Sequence, residues 1–227
     1  MVLGSPTFKE FERLQNMTKF LITLFSVFSF PNYLLAITLE QVQERYLELQ
    51  SFQGNFLQNT IVESEDRRAS ASGIIAYHRP GKMRWEYQEP DPQLLVTDGD
   101  TLWLYDPLLE NVTVQELAAV TDGTALAFLL GAGELTEDFT QRKMQKSLLD
   151  PDKSWEVLEL VPNREQSAIE LLQLGVDSKS GALEALLFKD NSGSVRIIEF
   201  EALSYNVEFS KDFFSFEIPP DMEVIRP

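Results

Sequence analysis

The 227-residue sequence carries 19 Lys+Arg against 36 Asp+Glu, one His and no Cys, for a formal charge of −17. Without Cys there is no disulfide scaffold, thiol nucleophile, thiolate zinc site or iron–sulfur cluster, and a single His leaves no imidazole pair for a metal. The acid excess disfavours nucleic acid and anionic lipid surfaces, since both are held through clustered Lys and Arg. The length suits one large domain or two small ones.

At the N-terminus, Lys19 precedes an apolar run from Phe20 to Phe30, and the small residue Ala36 follows. A cation, an apolar stretch and a small residue describe a secretory signal. The run is shorter than the roughly 20 apolar residues a spanning helix needs. Residues 1–36 are therefore expected to form a signal region with cleavage after Ala36. Leu34 is larger than usual for the third position before a cut, and Met17 is an alternative start. An amphipathic buried helix is the alternative for the region. Residues 37–227 are then expected to form a single exported domain. Its mature N-terminus would have no cysteine for a lipid anchor.

Thr38 and Gln41 have the spacing of a capping box. Leu39, Val42, Tyr46 and Leu49 recur at helical steps, while Glu40, Glu44 and Glu48 fall largely on the opposite side. This first helix is a candidate lid. After it the period changes to two: Phe52, Gly54 and Phe56 alternate with Gln53, Asn55 and Leu57, and Met83, Trp85 and Tyr87 alternate with Arg84, Glu86 and Gln88. Leu94–Val96 and Leu102–Tyr105 flank Thr97-Asp98-Gly99-Asp100, a hairpin signal. Further strand-like runs are 73–78, 112–117, 155–161, 169–176, 183–189 and 195–200, with turns at Asp177–Gly181 and Asp190–Gly193. Short strands with brief turns predict an antiparallel meander.

One segment breaks the pattern. Residues 124–130, with Leu126, Phe128, Leu129 and Leu130, are apolar all round and helix-prone, and glycines bracket them. A short helix of this kind needs cover on several sides. Together with the first helix it predicts a mainly β fold in which a sheet curls around an interior that helices close. Several strands also carry large residues on both faces, such as Trp155, Val157 and Val161 against Leu158 and Leu160. Either helices cover the second face or an apolar cavity lies there, and ordinary core accounts for the same pattern.

No phosphate loop, HExxH, GxSxG or dinucleotide fingerprint occurs, so no cofactor and no catalysis are expected. Neighbouring carboxylates such as Glu134, Glu137 and Asp138 fit a solvated loop better than paired acid–base chemistry. His78 beside Arg79 reads as a strand end rather than as a general base.

The run Tyr77-His78-Arg79-Pro80-Gly81-Lys82-Met83-Arg84-Trp85-Glu86-Tyr87, followed by Leu95-Val96-Thr97-Asp98-Gly99-Asp100-Thr101-Leu102-Trp103-Leu104-Tyr105-Asp106-Pro107, resembles the periplasmic outer-membrane lipoprotein carrier family (LolA). The opening Leu49–Gln58 and the ending Phe214–Val224 are similar to that family's first helix-to-strand junction and its tail, with Asp221 in place of the usual Gly. The resemblance implies an incomplete antiparallel β-barrel, a curved meander sheet whose apolar concavity is closed by helical lids, that holds the acyl chains of a lipoprotein cargo as a monomer, without inserting into the membrane itself. It implies an inner-membrane ABC-type release complex as donor and an outer-membrane receptor lipoprotein as acceptor. Arg79 matches the family arginine that hydrogen-bonds the lid and keeps the empty cavity shut. Met83, Trp85 and Tyr87 are the candidate cavity wall, and Met83 stands where relatives often have an aromatic residue. Leu126, Phe128, Leu129 and Leu130 are candidates for a self-plug that refills the cavity once cargo leaves. The alternatives are a lipid or glycolipid binder or an envelope-stress sensor of the same half-barrel fold, and a secreted hydrolase on a β scaffold.

Overall fold

The computed structural model describes residues 37–62, 66–121, 134–144, 146–164 and 168–227. The capping box forms as the sequence predicts. Thr38 Oγ1 accepts from the Gln41 amide and Gln41 Oε1 accepts from the Thr38 amide, which starts α1 (Leu39–Glu48). Leu39, Val42 and Tyr46 of its apolar stripe are buried.

Twelve strands make one sheet. They are β1 (Ser51–Val62), β2 (Arg67–His78), β3 (Lys82–Glu89), β4 (Gln93–Asp98), β5 (Thr101–Asp106), β6 (Asn111–Glu116), β7 (Phe139–Arg142), β8 (Trp155–Pro162), β9 (Ile169–Asp177), β10 (Leu183–Asp190), β11 (Ser194–Tyr205) and β12 (Glu223–Ile225). Among the described residues two short helices, α2 (Leu117–Thr121) and α3 (Leu135–Asp138), lie between β6 and β7. The order across the sheet is β12-β6-β5-β4-β3-β2-β1-β11-β10-β9-β8-β7. Two antiparallel meanders, β1–β6 and β7–β11, are thus joined through β1 and β11, and the sheet stays open because β7 and β12 do not pair. The expected incomplete barrel is present, with one correction: β12 joins β6 in parallel. Three residues pairing with a distant strand carry no usable period, so the sequence pattern missed it.

The turns follow their chemistry. Gly99, Gly181 and Gly193 all have positive φ, which suits a residue without a Cβ. Gly73 answers a different demand. It sits beside a register shift between β2 and β3, where a Cβ would come within 1.9 Å of the Glu86 carbonyl oxygen.

The two-faced strands have two separate cores. On the concave face, Phe56, Trp85, Leu158, Leu160, Leu172, Leu174, Leu186 and Ile198 pack with the stripe of α1 in the main cluster. On the convex face, Ala185, Leu187 and Val195 gather around Leu149, with Trp155, Val157 and Ile197 beside them. Of the three readings weighed from the sequence, a covering helix, a cavity or ordinary core, the described residues show the third. Irregular chain covers this face. Gln173 fixes the first strap, accepting from the Leu148 amide at 3.0 Å and donating to the Lys146 carbonyl at 3.0 Å and to Glu159 Oε2 at 2.8 Å. Arg142 Nε donates to Glu159 Oε1 at 2.7 Å, so this buried carboxylate is fully engaged. A second strap after β11 places Phe209, Phe213 and Phe214 against His78 and Arg84. His78 is therefore the strand-end residue the sequence indicates.

Candidate functional site

The concave face divides into a capped end and an open end. At the capped end α1 lies over the start of β1 and β10 and the end of β11. Hydrogen bonds along its length pin it. The Ile37 amide donates to Glu156 Oε1 at 2.8 Å, and Gln43 Oε1 accepts from the Leu135 amide at 2.7 Å in a buried bond to α3. At the C-terminus, Arg79 Nε donates to the Leu49 carbonyl at 3.0 Å and Arg79 Nη2 to the Tyr46 carbonyl at 3.0 Å. The Leu49 carbonyl lies past the last helical turn, and the Tyr46 carbonyl already accepts the capping bond from the Leu49 amide at 3.2 Å. The guanidinium adds a donor to each while its charge opposes the negative end of the helix dipole. The same guanidinium lies 5.5 Å from the centre of the Tyr46 ring. The turn between β2 and β3 thus aims Arg79 at α1, and the Arg79 amide itself donates to the Gln50 carbonyl at 2.8 Å.

Beneath α1 the surface is apolar. Val42, Tyr46 and Leu49 face Phe52, Leu183, Phe200 and Leu203 across a slit of ≈ 40 Å³. Tyr77 stacks between Phe52, at 5.3 Å, and Tyr46, at 6.0 Å. Burial pushes the Tyr46 hydroxyl well above its ordinary value. Tyr77 adds to this and the nearby Arg79 charge opposes it. Burial also raises Tyr77, and it raises Tyr87 at the open end. A phenol with a raised folded-state pKa leaves stability untouched below the unfolded value near 10. The loss sets in as pH climbs from there toward the folded value, because only the unfolded chain can ionise in that window. Stability should therefore fall by about 1.4 kcal/mol per pH unit for each such tyrosine above pH ~10. Urea midpoints at pH 9 and pH 11 check this, and Tyr46→Phe should flatten the dependence.

At the open end lies a cavity of ≈ 430 Å³, whose wall includes Gln58, Trp85, Tyr87, Leu95, Phe188 and Ile198. Glu89, Asp91 and Gln93 stand on one side of its mouth and Arg196 on the other. Phe56 marks the boundary between the two ends, meeting Trp85 at 5.0 Å and Tyr87 at 5.1 Å edge-on. Tyr87 donates to Gln58 Oε1 at 3.1 Å, whereas the buried Trp85 indole N–H has no hydrogen-bond partner among the described residues.

Of the residues singled out in the sequence, the fold brings Trp85 and Tyr87 into the cavity wall and Arg79 onto the end of α1. Met83 is fully buried in the main core, two residues before Trp85 on the same strand face, and is not among the cavity-lining residues. Leu126, Phe128, Leu129 and Leu130 lie outside the described residues. Sequence reasoning missed Gln43, Glu156, Phe188, Ile198 and Arg196. Gln43 lies on α1 and the others on strands with an apolar period, but nothing local says that α3 meets α1 or that β10 and β11 close over β3.

Comparison with known proteins decides the family. Residues 48–217 match the family model described as outer membrane lipoprotein carrier protein LolA. The chain belongs to the outer membrane lipoprotein carrier family. A relative from Nitrosomonas europaea, named outer-membrane lipoprotein carrier protein, is 32% identical over 211 residues, covering 92% of this chain and 100% of that protein. One of the same name from Chromohalobacter salexigens is 33% identical, covering 78% of this chain and 80% of its own. Among solved structures, an uncharacterised conserved protein from Thermus thermophilus superposes with a TM-score of 0.52 at 12% identity, over 83% of this chain and 98% of its own. That likeness shows the fold alone. Within the lipoprotein carrier family the open curved sheet is the expected architecture, and among the described residues no helix is long and apolar enough to cross a membrane.

Proposed function

We propose that this member of the lipoprotein carrier family shields the acyl chains of lipoproteins on the concave face of its sheet. The cargo would be accepted in the periplasm from an inner-membrane ABC-type release complex and delivered to an outer-membrane receptor lipoprotein. The observation that carries the reading is the division of one apolar surface into an open cavity and an end capped by a polar-fastened helix. Each methylene removed from water contributes about 0.8 kcal/mol, so several chains bind strongly in gross terms. Release then requires something to replace the cargo. Helix α1 is suited to this, because Leu39, Val42 and Tyr46 bury apolar area on the surface that chains would otherwise occupy. Arg79 acts as the latch of the empty form, and Trp85 and Tyr87 as part of the acyl-chain wall. Leu126, Phe128, Leu129 and Leu130 would serve as a further plug. The role is binding rather than catalysis.

Purification of the protein from periplasm tests this. The expected result is a one-to-one complex with triacylated lipoprotein, seen by mass spectrometry. Free phospholipid or glycolipid without any lipoprotein would instead favour the lipid-binder reading. Recovery with a membrane regulator and no lipid would favour a sensor.

A further inference from the structure

Nine large apolar residues are exposed among the described residues, and four of them gather at one corner of the sheet. Leu108 and Leu109, 61% and 69% exposed, form the tip of the β5–β6 turn, while Leu104 and Ile225 flank it on β5 and β12. Two adjacent leucines held outward are not explained by folding, since burying them would stabilise the domain. The tip is built to hold them. Asp106 Oδ1 accepts from both the Leu108 and Leu109 amides at 3.0 Å. Its other oxygen, Oδ2, accepts from Gln93 Nε2 at 2.7 Å, and Gln93 stands at the cavity mouth. The corner is also continuous with the cavity wall. Trp85 pairs with Leu95, Leu95 with Leu104, Leu104 with Thr113 and Thr113 with Ile225, so one row of same-face residues runs from the cavity to the sheet edge.

The surrounding charge selects the occupant. Asp91, Glu110, Asp221 and Glu223 are all exposed, and the Glu223 amide donates to the Glu110 carbonyl at 2.9 Å beside the tip. One cation, the exposed Arg226, directly follows Ile225, so these four carboxylates outweigh it around the patch. Carboxylates around an apolar tip oppose approach to an anionic lipid surface and favour a protein whose apolar pocket is rimmed by Lys or Arg. We propose that the Leu108–Leu109 tip, with Leu104 and Ile225, docks such a protein and brings its pocket against the cavity mouth during loading or unloading. This rests on the carrier reading and adds to it the surface through which a partner is met.

The test uses full-length protein carrying Leu108→Ser with Leu109→Ser, and separately Glu110→Lys with Glu223→Lys. Three quantities are read: one-to-one binding of detergent-dispersed labelled lipoprotein, uptake from inner-membrane spheroplasts, and delivery to outer-membrane vesicles. The expected result is unchanged cargo binding and thermal midpoint, with uptake or delivery reduced by about tenfold or more, as for a central interface anchor. Both transfer steps within about twofold of wild type, or a parallel loss of cargo binding, would overturn the proposal. So would wild-type association with protein-free phosphatidylethanolamine–phosphatidylglycerol vesicles as tight as with native membranes, since the tip would then be a lipid contact. Wild-type protein that takes up no lipoprotein overturns the carrier reading itself, an outcome visible in the control and distinct from a defect confined to the variants.

Discussion

Arg79→Leu should slow delivery of cargo to outer-membrane vesicles by about tenfold or more while leaving uptake intact, because it removes contacts made only while α1 is seated. Two charge-assisted bonds, to the Tyr46 and Leu49 carbonyls, are lost together with the ring contact. Each such bond contributes roughly 1.5–3 kcal/mol where partly shielded, and about 1.4 kcal/mol is a factor of ten. The Leu49 carbonyl, and the Tyr46 carbonyl beyond its bond from the Leu49 amide, would then turn to water, which is easiest when the helix end lifts. The closed empty state is thereby penalised and the loaded state is not. Arg79→Lys is the discriminating control. An ammonium can reach one carbonyl but lacks the planar fork that meets both, so it should give an intermediate rate. Hydrogen exchange of the α1 amides should quicken in the same order. Delivery at the wild-type rate in Arg79→Leu, with α1 protection unchanged, would remove the latch from the account.

How far the sequence foretold this geometry depends on the range over which each signal acts. The capping box, the Asp-Gly hairpin and the Asp177 and Asp190 turns are local, and each appears where its residues place it. The alternation of Trp85 and Tyr87 with Glu86 is also local, and it identifies the cavity-facing side of β3 without any knowledge of the neighbouring strands. The pairing of β1 with β11, across more than a hundred residues, leaves no local trace, and it decides which side chains meet Phe56. The same limit hid the straps. Leu149 and Phe214 lie in irregular chain, where no period marks a residue as buried, yet Leu149 covers the second face of strands whose two-sided apolar pattern is plain, and Phe214 packs against His78 at the end of β2. Arg79 was found through a motif rather than through periodicity, since only the placement of the β2–β3 turn beside α1 gives it carbonyls to hold.

Phe56→Ala should produce the largest loss of stability of any change at the site. The ring is fully buried and sits between Trp85 and Tyr87, so its removal deletes two edge-on aromatic contacts along with the buried area. Phe-to-Ala changes in cores cost about 3–5 kcal/mol, including the void left behind. For a domain of this size that lowers the thermal midpoint by on the order of 10 °C. The location of the void makes this more than a packing test. Phe56 separates the ≈ 430 Å³ cavity from the surface under α1, and without the ring the open space extends toward Phe52 and Tyr77. A long-chain fatty acid should then fill it and restore much of the lost midpoint, by more in the variant than in wild type, since ligand confined to the native state stabilises it in proportion to RT ln(1 + [L]/Kd). The comparison calls for thermal melts of both proteins with and without palmitate. A midpoint shift of only a degree or two would show that the ring does not divide the concave face. A full loss that palmitate fails to offset would show that the vacated space is closed to acyl chains.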